Sequence, residues 1–230
     1  FTPEDVRAVW QRVASLPAAP VAYERVIEPE APSRVDETPI LVAMADQPNA
    51  TVSGTLVLPL TTEDPDFPAL RLAVSLLGGD TDSRIRMRLR EQEGLAYAAG
   101  ATLSGAVFEP RSTLLLYASV ASGQAAEALA ALREELQRAL AEGFSEDEVA
   151  RARRAWLDGR RRALASEAGL VRLLAGGLQS GRDFAALSDY DARLSGTGAA
   201  DVNRVLRKYL AAVPVVWATG RGVAAPAGAR

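Results

Sequence analysis

In a chain with no His and no Cys, chemistry has to come from carboxylates, hydroxyls, guanidinium groups or a single lysine. Most hydrolytic nucleophiles are activated by an imidazole or replaced by a thiolate, and transition-metal sites draw on the same two groups. Zinc, serine-triad and thiol mechanisms are therefore outside the reach of this chain alone. A Ser-Lys dyad would need Lys208, which stands beside Arg207 on a helix expected from Ala199 to Leu210, where a solvated role fits it better. Paired carboxylates could be drawn from Asp80 and Asp82 or from Glu146 to Glu148, but acids at such positions serve helix caps and the macrodipole. Gly78-Gly79 follows a helix, where a phosphate-binding loop follows a strand, and no Gly-Lys-Ser/Thr ending is present, so the pair is expected to stop the helix. Arg151, Arg153, Arg154, Arg160, Arg161 and Arg162 could face RNA or lipid; the acids interleaved with them predict a salt-bridged solvent face instead. Arg90 and Tyr97 remain. On spacing alone they read as a surface arginine paired with Glu91, Glu93 or Asp82 and an amphipathic strand tyrosine.

The elements that position these groups are legible from caps and periodicity. Thr2, Pro3 and Asp5 open a first helix with Val6, Val9, Trp10 and Val13 on one face, ending near Leu16. Prolines 17, 20, 29, 32 and 39 predict an extended connection over 17–39. Two strands follow, Ile40 to Ala45 and Thr51 to Leu58, the second alternating polar and apolar. Asp64 and Asp66 start a helix whose Leu70, Ala73, Val74 and Leu77 share a face, and a second helix with four arginines at alternate positions runs from about Asp82 to Glu93. Tyr97 to Phe108 and Ser112 to Val120 form a hairpin, and Ala125 to Ala141 a helix closed by Gly143. Ser145 with Glu148 makes a capping box for a long Arg-rich helix. Helices then continue to Leu210, Val213 to Thr219 is a last strand, and 220–230 should fray as a flexible tail. This order predicts an α+β fold, a mostly antiparallel sheet with helices packed on one face.

Composition excludes several partners. The 230 residues are 48% hydrophobic, enough for folding to bury about 70% of the unfolded surface without a disulfide or metal. Twenty-six basic against 29 acidic residues, a formal charge of -3, give no field that would gather nucleic acid or an anionic membrane. No stretch approaches the roughly 20 apolar residues of a membrane span, so no membrane insertion is expected. The lack of Cys suits a reducing or an oxidising compartment equally, leaving a soluble bacterial periplasmic or cytoplasmic location open. Phe1 in place of Met, inside a helix cap, reads as excision from a longer polypeptide.

The segment from Leu76 to Gly100 says more. It reads Leu-Leu-Gly-Gly-Asp-Thr-Asp-Ser-Arg-Ile, then Arg-Met-Arg-Leu-Arg-Glu-Gln-Glu-Gly-Leu-Ala-Tyr. This resembles the signature of the second, non-catalytic domain in the pitrilysin/insulinase/mitochondrial processing peptidase family of inverted zincins. There a helix ending Leu-Gly-Gly and a turn ending Ser-Arg-Leu precede Arg-Glu-x-x-Gly-Leu-x-Tyr. Arg90 and Tyr97 stand seven apart, as the family's Arg and Tyr do. Pro65 to Leu70, Asn49-Ala50-Thr51 and Asp201-Val202-Asn203 extend the likeness over most of Asp46 to Thr219. Residues 1–39 resemble the end of a preceding domain with its linker.

The resemblance implies a LuxS/processing-peptidase-like fold over 40–219 in a clamshell of domain pairs, a catalytically incomplete domain that clamps peptide for a partner. The partner's His-x-x-Glu-His helix would hold the zinc. The corresponding helix here offers Arg71, Leu72, Ala73, Val74 and Ser75, none of them ligands, so neither a metal nor a catalytic group is expected on this chain alone. Ser83 and Arg84 are expected to be a cap and an anchoring pair. Arg90 would satisfy carbonyls of an extended peptide, and Tyr97 would donate to the carbonyl oxygen as negative charge develops there. A reading from another class keeps the fold as a non-enzymatic assembly or peptide-binding scaffold that captures extended segments at a strand edge.

Overall fold

The computed structural model describes residues 2–17, 38–45 and 47–223. The chain divides into two compact units, Phe1–Glu30 and Ala31–Arg230. In the first, α1 (Pro3–Ala14) opens with the expected Thr2 N-cap, which Asp5 completes as a capping box: Thr2 Oγ accepts from the Asp5 N–H, and the Asp5 carboxylate accepts from the Thr2 N–H. Val6, Val9, Trp10 and Val13 share its apolar stripe and all four are exposed. Most of the proline-rich stretch lies outside the described residues.

The second unit is built on a five-stranded sheet ordered β1-β5-β2-β4-β3. The strands are β1 (Ile40–Ala45), β2 (Asn49–Leu58), β3 (Ala96–Ser104), β4 (Ser112–Ala121) and β5 (Val216–Val223). Only the β1–β5 pair is parallel, so the sheet is mostly antiparallel as expected. Ala50, Val52, Leu56 and Leu58 of β2 and Leu114, Leu116, Ala118 and Val120 of β4 point to the buried face, while Thr51, Ser53, Ser119 and Tyr117 fall on the other. Period-2 alternation of this kind forces one face onto a core. Helices α2 (Phe67–Val74), α4 (Ala125–Glu142), α5 (Glu146–Leu164) and α8 (Ala199–Leu210) supply the rest of that core through Leu70, Leu72, Leu132, Leu136, Val149, Val205 and Leu206. Short α3 (Arg84–Arg86), α6 (Glu167–Gln179) and α7 (Phe184–Gly196) complete the set.

Several boundaries differ from the sequence expectation. Gly78-Gly79 close the second helix as expected, but its last turns, over Ser75–Gly79, are π-helical. Gly78 is there because the helix backbone lies against β3: a Cβ on it would sit 2.3 Å from the Ala101 nitrogen and 2.7 Å from the Gly100 carbonyl carbon. The following helix spans Arg84 to Gln92, its second part again π-helical. The hairpin strand ends at Ser104 and not Phe108, because Ala106 leaves the ladder to accept from the Thr62 N–H (2.7 Å) and donate to Ser112 Oγ (3.0 Å). The last strand is shifted to Val216–Val223, so the first residues of the predicted tail pair with β1 and β2. Residues 224–230 lie outside the described residues.

Lys208 is not simply solvated. With Arg204 and Tyr209 it converges on Asp66, whose carboxylate accepts from Arg204 Nη2 (2.9 Å), Lys208 Nζ (2.6 Å) and the Tyr209 hydroxyl (3.3 Å). Asp66 thus ties the start of α2 to α8 instead of capping its own helix. The Arg204 hydrogen bond, with Lys208 behind it, outweighs burial and lowers the Asp66 carboxyl to about 2. A depressed folded value stabilises the fold above the unfolded carboxylate range near 3.8, and that contribution disappears as pH falls toward 2. Both bases are about half exposed, so the contribution is on the order of 1 kcal/mol. In urea titrations, the native chain is expected to lose about that much more stability between roughly pH 4.5 and pH 2 than Asp66→Asn; equal losses would place the acid sensitivity elsewhere.

Candidate functional site

The Arg/Tyr segment begins at a tight turn. Buried Ser83 donates from Oγ to the Asp80 carbonyl (2.6 Å) and makes no side-chain cap bond to the helix, so it braces the turn instead of serving as the expected cap. Arg84 next to it is the expected anchor. Its guanidinium lies 4.5 Å over the Phe144 ring and donates to the Gly143 carbonyl (2.7 Å) and to Glu148 (3.3 Å). Burial pushes the Glu148 carboxyl up, but the Ser145 N–H and hydroxyl together with Arg84 outweigh it and leave it below its usual value. Glu148 closes the Ser145 capping box as well, so one carboxylate joins two elements.

One turn on, Arg88 does the same against α4. It donates to Glu93 (2.8 Å), to Glu134 (2.6 Å) and to the Ala131 carbonyl (3.3 Å), and the Glu93 bond first, then Glu134, raises its already high pKa. Ile85 and Leu89, each next to one of these arginines in the chain, are fully buried. Arg84 and Arg88 are therefore inward-facing brackets, and Arg90, on another side of the helix, is left at the surface. Its side chain is 46% exposed, and the only carboxylate at ion-pair distance among the described residues is its sequence neighbour Glu91, at 3.6 Å. A contact that long is not a hydrogen bond.

The step from helix to strand is short because of Gly94. At φ 63° it takes the left-handed conformation that a side chain disfavours, and the Leu95 N–H returns to the Leu89 carbonyl (2.8 Å) with both leucines buried. β3 starts at once. Ala96 pairs with Val120 and Ala98 with Ser119, so Tyr97 is the extra residue of a β-bulge. Bulges re-aim a side chain, and here Tyr97 and Ala98 are consecutively exposed between buried Ala96 and Ala99. Tyr97 is 65% exposed, and its hydroxyl has no hydrogen-bond partner among the described residues. Arg90 and Tyr97 are thus both accessible at the two ends of one braced turn. Neither lines the clefts that the described residues form around Arg71, Leu164 or Met87.

The other candidates are brought into structural work. Asp80 accepts from the Ser75 hydroxyl, and Glu146 from the Ala199 N–H at the start of α8 (2.9 Å). The arginines of α5 are only partly a solvent face: Arg153 donates to the Thr197 carbonyl (2.6 Å), and Arg160 pairs with Asp191 of α7. Among the described residues no group of His, Cys, Asp or Glu could hold a metal, and the α2 side chains Arg71 to Val74 supply no zinc ligand. No helix among them is long and apolar enough to cross a membrane. Sequence reading missed two features. One is the Asp66 hub; the other is a cleft where Arg71, Trp156 and Tyr190 meet. Neither has a local signal, since their members lie far apart along the chain.

The comparisons agree with this architecture. The family model described as the peptidase M16 inactive domain matches residues 6–155. Among solved structures, the peptidase M16 inactive domain from Pseudomonas fluorescens superposes with a TM-score of 0.80 at 20% identity, over 98% of this chain and 52% of that one. A protease from Helicobacter pylori gives 0.78 at 17% identity, over 96% and 53%. The periplasmic protease PqqL from Escherichia coli gives 0.70 at 23% identity, over 96% and 24%. The chain therefore spans about half the length of the first two structures and a quarter of the third. No curated protein matches it significantly. With the family model covering more than half of its length, this chain belongs to the peptidase M16 inactive-domain family.

Proposed function

We propose that this domain is the peptide-holding, non-catalytic part of a zinc endopeptidase, working with a partner domain of the same family that carries His-x-x-Glu-His and the metal. The observation behind this reading is the contrast within one segment: Arg84 and Arg88 are consumed by packing, while Arg90 and Tyr97 are held exposed by a Gly94 turn and a bulge. An exposed phenol without a hydrogen-bond partner at a bulged strand position is poised for a ligand outside the chain.

In this reading the Arg90 guanidinium donates to main-chain carbonyls of an extended peptide, and the Tyr97 hydroxyl donates to the carbonyl oxygen under attack, where negative charge grows. Zinc would supply the polarised water from the partner; this chain contributes orientation and one donor. The experiment is reconstitution. The chain alone is expected to cleave no peptide and the combination with its partner domain to do so. In that complex Arg90→Gln should raise KM about tenfold or more with kcat little changed, the mark of binding lost equally from ground and transition states. An unaltered KM would remove Arg90 from the peptide, and reconstitution without cleavage would favour the scaffold reading.

A further inference from the structure

We infer that the cleft between α2, α5, α6 and α7 binds an organic carboxylate carrying an apolar group. This goes beyond the Arg90/Tyr97 reading and involves none of the same residues.

The cleft has a volume of about 250 Å³, and its lining includes Phe67, Arg71, Trp156, Tyr190, Arg182 and Arg193. Arg71 is pinned between two rings, 4.9 Å from the Phe67 centroid and 5.5 Å from the Trp156 centroid. Stacking of this kind holds the guanidinium plane while its N–H edge, which also faces the Tyr190 hydroxyl, points into the cleft to donate. Arg160 and Arg182, also in the lining, already have carboxylate partners in Asp191 and Glu63. Arg71 and Arg193 have none among the described residues, so the cleft carries uncompensated positive charge.

Its unused polar atoms point to the same class of ligand. Trp156 Nε1, Arg182 Nε and the Tyr190 hydroxyl are buried at the cleft wall; Arg71 and Trp156 turn toward the hydroxyl oxygen, which leaves its own O–H to donate. Burial pushes the Tyr190 phenol up, against the pull of Arg71 and Arg160, so it keeps its proton at neutral pH. A buried hydroxyl whose proton has no acceptor is costly, and a carboxylate supplies two acceptor oxygens with the negative charge that Arg71 and Arg193 have no partner for. The apolar requirement comes from the adjoining cleft of about 430 Å³, which shares Arg160, Leu173 and Arg182 with the first and adds Ala163, Leu164 and Gly176. A planar anionic head in the first cleft would put an attached hydrocarbon group into the second, in the manner of small-ligand sites that combine apolar walls with a few placed polar groups.

Such a ligand could be the free C-terminus of a peptide or a small carboxylic acid. Calorimetric titration of the isolated chain with N-acetyl-leucine, N-acetyl-leucinamide, sodium sulfate and a Leu-terminated pentapeptide separates these, without zinc or a partner domain. Saturable binding of N-acetyl-leucine or the pentapeptide is expected, with the neutral amide and sulfate each weaker by about tenfold or more. Arg71→Gln and Arg193→Gln should each weaken it about tenfold; Arg193 is exposed, so that variant keeps its unfolding temperature and guards against misreading a folding defect. A pentapeptide that binds more tightly than N-acetyl-leucine would assign the site to a chain end, and equal binding to a small acid. Absence of binding up to about 10 mM, equal binding of the amide or of sulfate, or full affinity in Arg193→Gln would overturn the inference. Since no peptidase step is read, such a failure would leave the Arg90/Tyr97 proposal standing.

Discussion

Tyr97→Phe in the reconstituted peptidase should lower kcat about a hundredfold while leaving KM nearly unchanged. The substitution deletes one oxygen and keeps the ring, so the bulge between Ala96 and Ala98 and the pairing of β3 with β4 persist. What disappears is a donor whose partner, in the proposed reading, becomes strongly basic only as the carbonyl turns tetrahedral. Such a bond contributes about 3 kcal/mol in the transition state and little before it. Initial rates at saturating and at limiting peptide check both halves. A fall in kcat/KM carried by KM would turn Tyr97 into a simple binding residue, and unchanged rates would end its role.

Gly78→Ala should be strongly destabilising for a single added methyl. The added carbon would sit 2.3 Å from the Ala101 nitrogen and 2.6 Å from the Ala101 Cβ, and neither belongs to a flexible side chain that could swing aside. The π-helical segment and β3 must separate, at about 2–4 kcal/mol by the usual scale of overpacking in a dense core. Urea denaturation measures the loss directly. Gly100→Ala meets the same contact from the other side, its Cβ 2.6 Å from the Gly78 carbonyl oxygen, and should show a comparable loss. Because β3 carries Tyr97, surviving complex should also lose turnover; a loss below about 0.5 kcal/mol would mean the two segments yield easily.

Features that depend on a few neighbouring residues were legible in the sequence. The Thr2 N-cap, the Ser145/Glu148 capping box, the β2 alternation and the Gly143 stop all appear where the residues put them. Features decided by distant partners were not. Asp64 and Asp66 look alike in the sequence as helix-opening acids, yet only Asp66 meets α8, through residues 138 to 143 positions away. The alternate arginines looked equivalent, and it is packing against α4 and the α4–α5 turn that sorts Arg84 and Arg88 from Arg90. Gly78-Gly79 were legible as a helix stop, but the close approach of Gly78 to Ala101 was not, because a tertiary contact leaves no local trace. The candidate pair was found through the likeness of a whole segment; the bulge that exposes Tyr97 adds a residue to one strand only, and a single strand's pattern does not show its partner's count.

The bulge has a further effect on how the molecule keeps to itself. β3 is the outermost strand on its side of the sheet, and an outermost strand with a regular row of open amides and carbonyls invites a second molecule to zip on. An irregularity at Tyr97, with the Gly78 backbone pressed against Gly100 and Ala101 a few residues on, interrupts that row twice. The same local distortion that turns the phenol outward therefore also guards this border against aggregation.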